Sequence, residues 1–261
     1  MASVEPLSVQ SEDCIVTITL QGTHHKNELS AACLEALRTS IQNLYDDPNA
    51  QGAIITGNGS SFFATPPPAS EIKELNELNA RKFSEHGQEI LALIENCHKP
   101  IVAAINGDAI SGGLELALAC HLRLAVAHAK LQFMDVAWGM IPGFGGTQRL
   151  THIVGKTRAL EMMMTGRALN AQEGMASGIL NYLAEDQTLL MQKSKALLQK
   201  IIGHGPLAVG MLVNCVNAAH NPHEDGYQTE ANSFANCCKK NGFRDEIGAL
   251  LDQRTSGEGI E

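Results

Sequence analysis

Two carboxylic acids stand where acids are costly. Glu115 falls in the stretch GGLELALAC, where Leu114, Leu116, Ala117, Leu118 and Cys120 leave no wet face. A helix that is apolar all round is buried. Asp135 follows KLQFM and precedes VAWGMIPG, so its surroundings are dry as well. A buried carboxyl without a partner is expensive, and one whose charged and neutral forms are closely balanced is suited to moving protons near neutral pH. Burial favours the neutral form of Glu115, whereas its place in a first helical turn favours the charged form. Gly112 opens that helix. The first N–H groups of a helix lack internal partners and attract anions, and a residue without a side chain lets an oxygen come close. Gly112 therefore offers one half of an oxyanion hole. Structural roles compete with this reading: Glu115 as a dipole partner or backbone cap, Asp135 as an ordinary loop aspartate.

The elements that must position these groups are legible around them. IVAAI (101–105) is a short apolar run bounded by turn residues, which predicts a fully covered strand. NGDAISGG then turns into the Glu115 helix, and LRLAV (122–126) is a second buried strand. Upstream, CIVTITL (14–20) alternates as a half-buried strand. Ser30 caps a helix with Leu34, Leu37, Ile41 and Leu44 on one stripe, and GAIIT (52–56) is another buried strand. Residues 71–97 predict one helix, with a break near Gly87. Downstream, ILNYL (179–183) reads as the last strand, and helices are expected over 186–203, 206–220, 224–239 and 243–254. The strand–strand–helix rhythm of the first part predicts a spiral of repeated units in an α/β fold.

IPGFGGTQRL (141–150) with Gly155-Lys156-Thr157 resembles a phosphate loop only in part. The required glycine five places before Gly155 is Leu150. The glycines instead allow a tightly packed turn, and Thr147 is placed to cap the following helix. His24 and His25 are adjacent in a polar loop and read as solvated. Met162, Met163 and Met164 read as adaptable core filler.

Composition narrows the classes. The chain has 261 residues, is 44% hydrophobic and carries a formal net charge of −9. That supports a sizeable core and argues against nucleic acid or an anionic membrane surface as partners. Aromatics make up only 4%, too few for base-stacking platforms. No signal peptide or membrane-spanning run is visible. The seven cysteines lack paired metal spacing. Cys14, Cys33, Cys97, Cys120 and Cys215 read as reduced core residues, and a cytoplasmic location follows. No metal site is expected.

The segment GDAISGGLELALACHLRLAVAHAKLQFMDVAWGMIPGFGGTQRL resembles the crotonase (enoyl-CoA hydratase/isomerase) superfamily without a gap, and the likeness extends from about residue 14 to residue 254. The resemblance implies a crotonase-like ββα spiral core over residues 1–200 and a C-terminal helical trimerisation region over 201–261. It implies a homotrimer, or a hexamer built as a dimer of trimers. It implies an acyl-CoA substrate, with the coenzyme A thioester as substrate and no separate cofactor. By the same likeness Glu115 orients and deprotonates a water, and Asp135, where relatives carry glutamate, supplies a proton. The backbone N–H groups of Gly112 and Ser70 form the oxyanion hole, Lys26 and Asn27 lie near the adenosine end of coenzyme A, and Ala64 lies at the substrate. The expected reaction is addition of water to a 2-enoyl-CoA. Isomerisation or another acyl-CoA reaction is one alternative, and a non-catalytic acyl-CoA binding or assembly module is another.

Two departures from the family pattern stand out. The link between SSFFA and SEIKEL is a few residues longer than usual, and the excess contains Pro66, Pro67 and Pro68, which have no N–H to donate. The tail DQRTSGEGIE carries only Arg254 where relatives place several basic and aromatic residues.

Overall fold

A computed structural model describes residues 5–22, 26–239 and 247–248. The main sheet has six strands in the order β1 (Leu7–Glu12), β2 (Ile15–Leu20), β3 (Gly52–Gly57), β5 (Ile101–Ile105), β7 (Leu122–Val126) and β10 (Tyr182–Ala184). All pairings are parallel except the β1–β2 hairpin. A second sheet runs β4 (Phe62–Ala64), β6 (Asp108–Ile110), β8 (Lys130–Gln132) and β9 (Leu169–Asn170). The strand pairs β3–β4, β5–β6 and β7–β8 each give one strand to each sheet. The chain therefore winds as a spiral of ββα coils, as its rhythm predicts.

The helices follow their apolar stripes. In α1 (Ala31–Asp46) the residues Leu34, Leu37, Ile41 and Leu44 are buried, and the Ser30 hydroxyl accepts from the Cys33 N–H. Helix α4 (Gly112–Ala119) is buried at every position. Strands β3 and β5 are buried along their whole length, as a strand covered on both faces must be. Helix α8 (Gln187–Ile202) packs across β3, β5 and β7 and closes the core. Beyond it, α9 (Pro206–Ala218) and α10 (Gly226–Cys238) pack on each other and bury little.

Several expectations are corrected. The helix expected over 71–97 is two helices, α2 (Ala69–Lys73) and α3 (Ala80–Glu95). The break falls at 74–79, where the Asn79 side chain accepts from the Asn76 N–H and donates to the Glu74 carbonyl. Gly87 instead sits inside α3, because the Phe144 ring packs onto it and a Cβ there would meet the ring at 2.1 Å. Cys14 is exposed in the β1–β2 turn with φ +63°, not in the core. Met162 and Met163 are buried, but Met164 is exposed. The short strands of the second sheet carry too few residues to show a period, and β1 is exposed along most of its length, so no apolar alternation marks it. His24, His25, Arg254 and nearly all of the helix expected over 243–254 lie outside the described residues.

Candidate active site

Glu115 lies in the first turn of α4 and is 2% exposed. Its Oε1 accepts from the backbone N–H of Phe144 at 2.7 Å and of Gly146 at 2.8 Å. Gly146 begins α5 (Gly146–Val154), so two helix N-termini converge on this carboxyl. The glycine turn makes this possible. Gly145 adopts φ +97°, which favours glycine. A Cβ on Gly146 would stand 2.7 Å from the Glu115 Cγ. Thr147, expected as the helix cap, lies within the first turn. The cap position is Gly145, and the side chain that takes up the free N–H comes from α4.

Burial pushes the Glu115 carboxyl up to about 7. The Gly146 N–H opposes that shift, the negative charge of Asp135 adds to it, and the Phe144 N–H and the Arg149 guanidinium pull back. Desolvation wins over two good hydrogen bonds because the group is almost fully removed from water. Arg149, itself buried, donates through Nε and Nη2 to Glu95 Oε2 at 3.0 and 2.8 Å and through Nη1 to the Phe144 carbonyl at 2.8 Å.

Asp135 opens a single 3-10 turn (Asp135–Trp138) just after β8 and is 6% exposed. Burial raises its carboxyl above the usual range, with the nearby Ser111 hydroxyl opposing. Its Oδ2 is buried with no hydrogen-bond partner among the described residues. Glu115, Asp135 and Gly112 line one cleft of about 1170 Å³. That exceeds the usual range for small-ligand pockets. Phe83, Trp138, Met140 and Phe144 give it apolar walls, and Asn217 and His220 stand among its polar lining.

The remaining expected site residues are placed differently. Ser70 is in the exposed first turn of α2 and does not line the cleft, which Pro66 and Pro67 line in its stead. Pro68 is the N-cap of α2, and no residue of α2 is buried. Ala64 ends β4 fully buried, with its carbonyl pressed on Gly113, where a Cβ would stand 2.0 Å from the oxygen. It has no surface left for a ligand. The Lys26 side chain is exposed, and its carbonyl accepts from the Thr65 hydroxyl at 3.0 Å. Asn27 is buried, and its amide donates to the carbonyls of Asn58, Phe62 and Phe63, so it is spent on the fold.

Similarity to known proteins places the chain in a family. A family model described as enoyl-CoA hydratase/isomerase matches residues 10–256. The short-chain-enoyl-CoA hydratase of Clostridium acetobutylicum is 30% identical over 247 residues, 94% of each chain. The crotonyl-CoA hydratase of Syntrophomonas wolfei is 31% identical over 251 residues, 96% of each chain. The crystal structure of enoyl-CoA hydratase from Bacillus anthracis is similar with a TM-score of 0.88 at 30% identity, covering 95% of this chain and 96% of that one.

The chain belongs to the enoyl-CoA hydratase/isomerase family. Its ββα spiral is the crotonase fold, and the cleft at the start of α4 is the place to look for crotonase chemistry. Two groups at or beside that cleft, Arg149 in its lining and Ser111 just before Gly112, escaped the sequence reading. Ser111 precedes the Gly112-Gly113 pair, and a non-glycine residue at a tight glycine turn is a signal. Arg149 stands in the polar run Thr147-Gln148-Arg149, so no local signal marks it as buried.

Proposed function

We propose that the protein is an enoyl-CoA hydratase that adds water to a 2-enoyl-CoA thioester. The observation that carries this is the placement of Glu115 and Asp135 on one cleft beside Gly112, the first residue of α4, in a chain of this family. Both hydrogen bonds to Glu115 fall on Oε1, and among the described residues none reaches Oε2. Oε2 is then the atom that takes a proton from water, whose hydroxide adds to the β-carbon. Asp135 delivers a proton to the α-carbon, and proton exchange between the two acids through water restores the starting state. The Gly112 N–H holds the thioester oxygen as negative charge develops there. No metal or redox group enters this scheme, and coenzyme A serves as the carrier of the substrate. The exposed Lys26 side chain suits the phosphates at the adenosine end.

Residues 1–200 form the catalytic core in this reading, and 201–261 the assembly region. Leu212, Val216, Tyr227 and Phe234 are exposed on α9 and α10, with Phe234 at 71%, which supports a homotrimer or a pair of trimers. Light scattering on the purified protein tests this. A cytoplasmic location fits the seven free cysteines. Among the described residues, no single helix is long and apolar enough to cross a membrane.

The test is loss of the conjugated thioester absorbance when purified protein meets crotonyl-CoA. Turnover that Glu115→Gln abolishes supports the proposal. The Pro66–Pro67 wall favours a second reading, a non-catalytic acyl-CoA binding module. Calorimetric binding of crotonyl-CoA without absorbance loss would select that reading.

A further inference from the structure

Ser111 is the only described non-glycine residue with positive φ at the cleft's end of α4, with φ +48° and ψ −115°. A side chain in this region is strained, and glycine would adopt the conformation at little cost. The side chain is fully buried and does not cap its own helix. Its Oγ instead accepts the Met134 N–H at 3.0 Å, and its backbone N–H donates to the Gln132 carbonyl at 2.7 Å. Both partners belong to the segment that ends in Asp135. On the other side, the Ser111 carbonyl accepts the Glu115 N–H at 2.9 Å, and Gly112 is the next residue in the chain. One residue thus joins the backbone donor and both acids.

We propose that Ser111 is a positioning residue: its hydroxyl fixes the Asp135 turn against α4 so that the unpaired Oδ2 faces the substrate. This rests on the hydratase reading above. Having accepted from Met134, the hydroxyl still has its own proton to offer and lies beside the Asp135 carboxyl; burial outweighs its pull, so the carboxyl stays above its ordinary range and can hold the proton it delivers. The need is specific to this chain. Aspartate is one methylene shorter than the glutamate that the family pattern leads one to expect, so its carboxyl reaches less far and tolerates less displacement. A buried hydroxyl anchored to the preceding peptide is a means of holding it in place.

Ser111→Gly and Ser111→Ala separate this from a packing role. Glycine removes the hydroxyl and the strain together. The expected result for Ser111→Gly is a higher melting temperature with kcat lowered about 10–100-fold, KM for crotonyl-CoA within about threefold of wild type, and unchanged affinity for butyryl-CoA by calorimetry. Ser111→Ala loses the same activity without the gain in stability. A double-mutant cycle with Asp135→Asn must be non-additive, each change costing little once the other is made. Full activity in Ser111→Gly, or an additive cycle, would overturn the proposal while leaving the hydratase reading intact. An inactive wild type would instead overturn the hydratase reading. If Ser111→Ala misfolds, Ser111→Gly and its cycle decide the matter alone.

Discussion

Arg149 holds the carbonyl of Phe144 at 2.8 Å, while the amide of the same residue donates to Glu115 at 2.7 Å. The cation therefore acts on the acid through one intervening residue as well as through its field. Its Nε and Nη2 donate to Glu95, so the clamp is anchored to α3.

Arg149→Met should release that clamp. The Phe144–Gly146 turn loosens, and Glu95 is left half-buried without its partner. We expect a loss of about 3 kcal/mol in stability, read by urea denaturation. The pH at which activity reaches half its maximum should also move upward, because a charge that favours ionised Glu115 is gone.

Glu115 carries a pH signature with a definite sign. Its carboxyl titrates near 7 in the folded chain and near its ordinary value of 4.5 when unfolded. The native state thus binds the proton more tightly, and wild-type stability falls as pH rises from about 4.5 to about 7. Glu115→Gln removes the penalty of the buried charge and keeps an oxygen for the Phe144 and Gly146 N–H groups. Above pH 7 the variant should be inactive yet more stable than wild type, by up to about 3 kcal/mol. Near pH 4.5 the two should melt together. In the wild type, kcat/KM should rise with pH through about 7. A rate independent of pH from 5 to 9 would deny Glu115 the role of base.

The proline wall makes a gain-of-function prediction. Pro66 and Pro67 line the cleft with Gly112 and offer no N–H. One missing oxyanion donor is worth about 10²–10³ in rate. Pro66→Ala or Pro67→Ala returns an amide to that wall, and at least one of the two should raise kcat about tenfold or more. Stopped assays with crotonyl-CoA at saturating concentration measure it. No gain from either would mean that the thioester oxygen is not held from this side.

Gly146→Ala tests the closeness of the turn. A Cβ there would stand 2.7 Å from the Glu115 Cγ and 3.0 Å from the Phe133 ring. The acid must shift, and activity should fall at least about 100-fold, with a stability loss of about 1–3 kcal/mol. Gly139→Ala is the control, since a Cβ there meets nothing within 4 Å. Its φ of +72° costs some stability but should leave kcat unchanged.

Much of this molecule was legible in its sequence. The buried strands at 52–56, 101–105 and 122–126 were readable because each is apolar along its length and bounded by turn residues. The α4 acid stood out because nothing around it was polar. Strands of two or three residues escaped detection, since a period needs more than one repeat to show. Ser70 lies off the cleft lining, a placement that residue spacing does not show. The run Pro66–Pro68 leads into α2, and its path is not encoded in a periodic pattern. Asn27 looked like a ligand contact on family likeness, yet its amide is spent on three carbonyls of the 58–63 segment. Such long-range hydrogen bonds leave no mark on local spacing.

The stretch from Pro66 to Asn79 belongs to neither sheet, and α2 within it has no buried residue. Its length can therefore change through evolution without unsettling the spiral, whereas the acids ride on elements that cannot move. One wall of the cleft can therefore change in shape and chemistry at little cost to the core, whereas the wall that carries the acids cannot. Lineages of this fold can diversify their reactions by editing a dozen surface residues.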